Sequence, residues 1–310
     1  MGMNHACAGV LALALAVAAN APSGHVAPHQ GLAATSGTEY AFGQLSVSTN
    51  GALYYVDRGY GQVDAVTPNG AHVVLSSLNT AAAPKRSVPG LSGLSLTKDA
   101  MWFTAANGLY EASLTGRDVR RLGDVPGAVD LEVLADGTTY FTTTMAIFER
   151  APDGHTTHVA GGTTVGFAQQ QAGLQPATEV AINPEGVAGV SPDEFYFTNE
   201  NRLYLVERGV ATIFGPQFSF FNGELATTPK GVVYGLCNWH MCRISGHMVT
   251  QLFKLPEPVN GVFAAPDALA VSPSETFYIS YSDQSLPGKA GIVELSPQGK
   301  IVAVVASRST

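Results

Sequence analysis

Hydrophobic and polar positions alternate along most of this 310-residue chain, and the alternation recurs. Six segments share one layout: an alternating apolar stretch, a turn, then an aromatic-rich stretch. They are LSVSTNGALYYVD (45–57), LSLTKDAMWFTA (94–105), LEVLADGTTYFTT (131–143), VAGVSPDEFYFTN (187–199), LATTPKGVVYGL (225–236) and LAVSPSETFYISY (269–281). Period-two alternation marks half-buried strands, not helices. With Tyr55, Phe103, Phe141, Phe197, Tyr234 and Ile279 taken as equivalent, the spacings are 48, 38, 56, 37 and 45 residues. Their mean, about 45, is the length of a four-stranded propeller blade. Each copy continues into two further strand-like pieces, as in NRLYLVERGVATIFG after the fourth, and TPNG, APDG and SPQG supply tight turns. The pattern predicts an all-β fold: a six-bladed β-propeller of four-stranded antiparallel blades over residues 38–310. The aromatic residues Trp102, Tyr140 and Tyr196 fall on the second strands and are expected to pack between blades.

Residues 157–215 carry the repeat in most detail. Pro184, Gly186, Val187, Ala188, Tyr196, Asn201 and Arg202 stand where an NHL repeat carries its signature, so this stretch resembles an NHL repeat with its leader. The likeness extends loosely over 38–310. It departs at FAQQQAG, which replaces an acidic Gly-rich loop, and at Asn199, which replaces an Asp. PEGVAGVSPDEFYFTN (184–199) is also similar to the regucalcin and gluconolactonase-like propellers, with Glu185 where those carry Asn. That second resemblance implies a divalent cation at the channel mouth and a hydrolase or lactonase activity. The blade-one EGPxW of those proteins is absent here.

Propeller geometry places a site. If the first strand (A) of each blade runs inward from the top face, the B–C and D–A connections also lie on top, and the residues just before strand A ring the mouth of the channel. Aligning the repeats puts Asp130, Glu185, Asn222 and Asp267 near one level. Three carboxylates and an amide are hard oxygen ligands suited to Ca²⁺ or another divalent cation. The same groups also suit bonding to backbone N–H groups and channel waters. Both readings stay open. The 25-residue connection 160–184 has the length of a lid or binding loop, or of an ordinary surface loop. The connections 76–92 and 254–267 share its face.

Composition narrows the setting. Charged residues are 13% of the chain, the net charge is −8, and no basic stripe is visible, which argues against nucleic acid. Ala6–Ala19 is a 14-residue apolar run ending near Ala19-Asn20-Ala21. It reads as a signal peptide over 1–21, or as an uncleaved anchor, with a flexible leader over 22–37. No later segment reaches 18 uninterrupted apolar residues. The expectation is a secreted or extracytoplasmic monomer. Cleavage removes Cys7 and leaves Cys237 and Cys242, an even pair that favours a disulfide in an exported protein. In LCNWHMC (236–242) the cysteines are expected to face each other across a four-residue hairpin loop, 238–241. Free thiols, or a metal assisted by His240, are the alternatives. Trp239 and His240 would sit at the tip, either touching a partner or with Trp239 folded against a neighbouring loop.

His72, His155, His158 and His247 fall on or beside outer strands of different blades, which does not suit a zinc site at the axis. No G-x-S-x-G elbow or H-E-x-x-H helix is present. Two functions remain. One is a binding module that recognises a protein, peptide, glycan or small molecule through its top face. The other is a divalent-cation-dependent hydrolase or lactonase.

Overall fold

The structure, a computed structural model, describes residues 42–308 apart from 59–60, 68–69, 77–90, 106–107, 126, 163–173, 201, 214–219, 229, 257–264 and 283–289. The expected signal peptide and leader lie outside the described residues. Blade one holds β1 (Phe42–Val47), β2 (Leu53–Asp57), β3 (Gln62–Thr67) and β4 (Gly70–Ser76). Blade two holds β5 (Leu94–Leu96), β6 (Ala100–Ala105), β7 (Gly108–Ser113) and β8 (Arg120–Asp124). Blade three holds β9 (Leu131–Val133), β10 (Thr139–Thr142), β11 (Ala146–Arg150) and β12 (Thr156–Gly161). Blade four adds an outer β13 (Gln175–Pro176) to β14 (Pro184–Ser191), β15 (Glu194–Asn199), β16 (Arg202–Glu207) and β17 (Val210–Ile213). Blade five holds β18 (Phe220–Thr227), β19 (Val233–Cys237), β20 (His240–Ser245) and β21 (Met248–Lys254). Blade six holds β22 (Ala265–Val271), β23 (Phe277–Ser282), β24 (Ala290–Leu295) and β25 (Ile301–Arg308). Apart from β13, every blade is a four-stranded antiparallel meander from one contiguous stretch, so the six-bladed propeller expected from the repeat is present.

A lone blade would leave both faces of its apolar strands in water; the ring buries them against neighbours. The buried side chains gather between adjacent blades. Tyr54, Val56, Met101 and Phe103 join blades one and two, and Leu109, Leu131 and Phe141 join two and three. Tyr140, Val187, Phe195 and Phe197 join three and four. Ala188, Tyr196, Leu225 and Val233 join four and five, and Tyr234, Leu236, Leu269 and Phe277 join five and six. The ring closes through Leu45, Leu53 and Tyr55 of blade one against Ala268, Ala270 and Ile292 of blade six. Among the described residues, no strand is exchanged to close it.

The second-strand aromatics do a further job. Strand pairing makes Tyr54, Trp102, Tyr140, Tyr196, Tyr234 and Tyr278 equivalent, opposite Ser46, Ser95, Glu132, Ala188, Ala226 and Ala270. Four of their hydroxyls reach the next blade. Tyr54 donates to the Leu114 carbonyl (3.2 Å), Tyr140 to that of Pro192 (2.6 Å), Tyr196 to that of Gly246 (3.0 Å) and Tyr234 to the Glu275 carboxylate (3.0 Å). The Tyr140 ring passes Gly189, where a Cβ would stand 2.8 Å from it; only glycine leaves that room. These bonds tie turns on the bottom face, away from the mouth.

The long 160–184 connection is partly a packing element. Gln175 and Pro176 pair with Ala211 and Val210 at the outer edge of blade four, and Pro176 suits an edge because it has no N–H to donate. A single 3-10 turn, Ala177–Glu179, follows, and Ala177, Val180 and Ile182 fill the seam between blades three and four.

Candidate functional site

The inner strands β1, β5, β9, β14, β18 and β22 belong to separate sheets, so no backbone ladder joins them around the axis. Side chains join them instead. Gln44 accepts from the Leu94 N–H (2.6 Å) and donates to the Leu131 carbonyl (3.1 Å), spanning blades one to three. Ser92 donates to the Ala128 carbonyl (2.9 Å), and Ser95 accepts from the Val133 N–H (3.0 Å). Asp130 accepts from Leu131 through one oxygen and from Val187 of blade four through the other, both at 2.8 Å. Gln44 and Asp130 thus play the same part: each precedes the core leucine that pairs with the second strand, Leu45 with Tyr55 and Leu131 with Phe141, and each binds the equivalent N–H of a neighbouring blade.

Glu185 and Asp267 are each the extra residue of a β-bulge. Pro184 and Gly186 pair with Asn199 and Thr198, and Pro266 and Ala268 pair with Tyr281 and Ser280, so the register shifts by one residue at each intervening carboxylate. A bulge re-aims its side chain, and here it turns Glu185 and Asp267 towards the same charged region. Asn222 lies within β18, and its side chain is outside the described residues. Blade five also corrects the sequence alignment. Leu225 pairs with Gly235 and Ala226 with Tyr234, so Tyr234 matches Tyr196 and not Phe197, and four residues, 221–224, bulge against Leu236 alone. The residue level with Gln44 and Asp130 is therefore Glu224.

Glu224 differs from its counterparts. Its Oε2 is buried and, among the described residues, has no hydrogen-bond partner. Burial raises its carboxyl well above the usual range; the charges of Asp130, Asp267 and Glu185 add to the rise, and Arg58 opposes it. Asp130 is pushed up to about 6, because burial outweighs its two N–H donors and the Arg58 charge. Glu132, two residues on along the same face of β9, is pushed up to about 8 by burial and then by Asp130, with the Thr227 and Ser95 hydroxyls pulling the other way. The mouth is thus a buried acidic region drawn from blades three to six, opposed, among the described residues, by Arg58 of blade one. Sequence reasoning missed Glu224, Glu132 and Arg58. Only the Leu225–Gly235 register would have pointed to Glu224.

Among the described residues, no three His, Cys, Asp or Glu side chains come together in a way that would hold a metal ion. Asp130 gives each of its oxygens to one backbone N–H, and the Asn222 side chain lies outside the described residues. His158 and His247 lie on or before outer strands, as the repeat implied: His158 in β12, and His247 beside Glu207 at 3.5 Å.

Cys237 and Cys242 form a disulfide, with Cα atoms 5.9 Å apart. The hairpin around it is tighter than expected. Cys237 pairs with His240 and Gly235 with Cys242, so the turn is two residues, Asn238-Trp239, and not the four of 238–241. Both turn residues have positive φ (48° and 63°), the backbone of a tight hairpin turn. The cysteines are therefore diagonal neighbours on one sheet face, not directly opposed. Trp239 is 38% exposed at the tip, while the His240 ring lies half-buried with Nδ1 2.8 Å from the Asn238 carbonyl. No helix among the described residues is long and apolar enough to cross a membrane.

No known family profile matches this chain, and no curated protein does either. Solved structures do. A catalytically inactive variant of virginiamycin B lyase from Staphylococcus aureus, with quinupristin, matches at 15% identity and a TM-score of 0.54, over 88% of this chain and 86% of that one. The selenomethionine form of that lyase matches at 17% identity and 0.52, over 87% and 85%. A streptogramin B lyase matches at 13% identity and 0.52, over 89% and 85%. At these identities the likeness is one of fold.

Proposed function

We propose that this chain is an extracytoplasmic binding propeller whose channel mouth receives the cationic group of a ligand presented to the top face. The observation that carries the reading is Glu224: a buried carboxylate oxygen with no hydrogen-bond partner among the described residues, under the charges of Asp130, Glu185 and Asp267. Burying several carboxylates together is unfavourable unless protons or a positive group compensate them. A ligand cation does so, and its binding would release protons held by Glu224 and Glu132. The top-face tip of Trp239 and His240 lies on the next strand pair out from β18 and offers the same ligand an aromatic contact. Export is supported by the apolar N-terminal run and by the disulfide.

The test is calorimetric titration with alkylammonium and guanidinium compounds in two buffers of different ionisation enthalpy. Binding with proton release, lost in Glu224→Gln, is the expected result. Absence of binding by any cation, or binding indifferent to Glu224→Gln, would overturn the reading.

A second reading is a divalent-cation-dependent hydrolase or lactonase acting at the same mouth. What supports it is the pair of bulged carboxylates, Glu185 and Asp267, flanking blade five, together with carboxyls raised towards neutrality, as acid–base chemistry requires. Lyases exist on this fold, so the fold itself does not decide. Turnover of a lactone or ester library that depends on Ca²⁺ and disappears in Asp267→Ala is its distinguishing result.

A further inference from the structure

Arg58 follows β2 directly and stands, half-buried, on the B–C turn of blade one, on the face of the mouth. Its Nε passes 3.0 Å from where a Cβ would lie on Gly43. Glycine at the start of β1 thus leaves room for the Arg58 side chain against the inner strand. From there its positive charge acts on Asp130 of blade three and on Glu224 of blade five. It is not locked to either. The ion pairs of the described residues are Arg120–Glu111, Arg121–Asp124 and His247–Glu207, none of which includes Arg58.

We propose that Arg58 is a tethered counter-ion of the mouth, competing with a ligand's cationic group for Asp130 and Glu224 and so setting the affinity of the site. The proposal rests on the reading of the mouth as a cation site. Its physical logic has three steps. A guanidinium stays charged at every accessible pH, so its compensation of the buried carboxylates is permanent. An incoming cation adds its attraction to the carboxylates but also meets the like charge of Arg58. A simple monovalent ion then gains little over the arrangement already present. A ligand that also donates a hydrogen bond to Glu224 Oε2 gains more, because that buried oxygen has no hydrogen-bond partner among the described residues.

The experiment titrates the full chain with butylammonium chloride and, separately, with calcium chloride at constant ionic strength. It compares the wild type with Arg58→Gln, Arg58→Lys and Glu224→Gln. Arg58→Gln is expected to bind the butylammonium probe on the order of tenfold more tightly, the effect of removing one like charge at short range in a partly buried site. Arg58→Lys should keep the wild-type affinity, and Glu224→Gln should abolish binding. Without any probe, Arg58→Gln should melt lower than wild type above neutral pH and regain the loss when the probe is added. Calcium favoured over butylammonium in Arg58→Gln supports the competitor role and assigns the natural cation to a metal. Equal affinities in wild type and Arg58→Gln, still dependent on Glu224, overturn the competitor role and leave the cation site standing. Absence of binding in every variant overturns both.

Discussion

The propeller carries two polar rings that obey opposite rules. On the bottom face, tyrosine hydroxyls project from equivalent positions, and Tyr54, Tyr140, Tyr196 and Tyr234 each find an acceptor on the next blade. At the mouth, residues at equivalent positions diverge. Gln44 and Asp130 bind neighbouring N–H groups, whereas Glu224 keeps a buried oxygen with no partner among the described residues. A ring in which buried polar groups are satisfied holds blades together. A ring in which burial drives Asp130, Glu132 and Glu224 upward stores unfavourable electrostatics. Nothing in blade packing requires that storage, since Ala188, Ala226 and Ala270 serve at the positions that match Glu132. The difference separates two roles: the bottom ring serves stability, and the mouth gives stability up, as the proposed cation site would require.

The sharpest way to break the bottom ring is Tyr140→Ala. Tyr140 is fully buried, packs its ring on Phe195 at 4.8 Å between centroids, and bonds the blade-four turn. Truncation should lower stability by about 3–5 kcal/mol, read as a lower denaturant midpoint. The mouth should respond to pH instead. Its carboxyls titrate higher in the folded protein than in the unfolded chain, so the folded state holds protons that the unfolded state has already released. Their contribution to stability is therefore greatest at low pH and declines as pH rises from the ordinary carboxylate range through about 6 for Asp130 and about 8 for Glu132. The melting temperature should fall across that window, and Glu132→Gln should remove the part of the slope that ends at about 8, gaining on the order of a few kcal/mol at the alkaline end. A profile that Glu132→Gln leaves unchanged would show that the two rings do not differ in this way.

The fold was legible because six copies of one pattern place strands, turns and inter-blade aromatics with little ambiguity. Asp130 was legible for the same reason, as the residue before the first core position of its blade. Glu224 was not, because the alignment took Tyr234 as a core aromatic like Phe197. Only cross-strand pairing shows that Tyr234 matches Tyr196 and that β18 bulges by several residues. Arg58 was invisible for another reason. It lies on a turn, distant in sequence from every acid it influences, and periodicity carries no information about how a long side chain reaches across a ring. The hairpin error at 238–241 has a similar origin: asparagine followed by tryptophan at positive φ is not a common turn pair, so a longer loop was the natural expectation.

The disulfide joins the two rings' logic at the level of one blade. Cys237 and Cys242 are both fully buried against Leu225 and Val233, so they stiffen the hairpin that begins opposite Phe220, on the side of the mouth. The closed loop is short, and the double change Cys237→Ser with Cys242→Ser should lower stability by about 2 kcal/mol. Thiol titration of the unfolded, unreduced wild type should find neither cysteine reactive.

The finest test removes a single oxygen from the bottom ring. Tyr196 is buried between blades four and five, and its hydroxyl donates to the Gly246 carbonyl at 3.0 Å. Tyr196→Phe keeps the ring and its packing, so only the hydrogen bond is lost. The expected loss is about 1 kcal/mol, the ordinary worth of one such bond. Because the hydroxyl is held far above its ordinary titration range by burial and by Glu194, that loss should be the same at acid and at neutral pH. A pH-independent loss here, beside the pH-dependent gain of Glu132→Gln, would separate a ring that stitches from a ring that waits for charge. If Tyr196→Phe were neutral at every pH, packing alone would hold the blades, and the hydroxyl ring would be a consequence of tyrosine's fit and not a cause of closure.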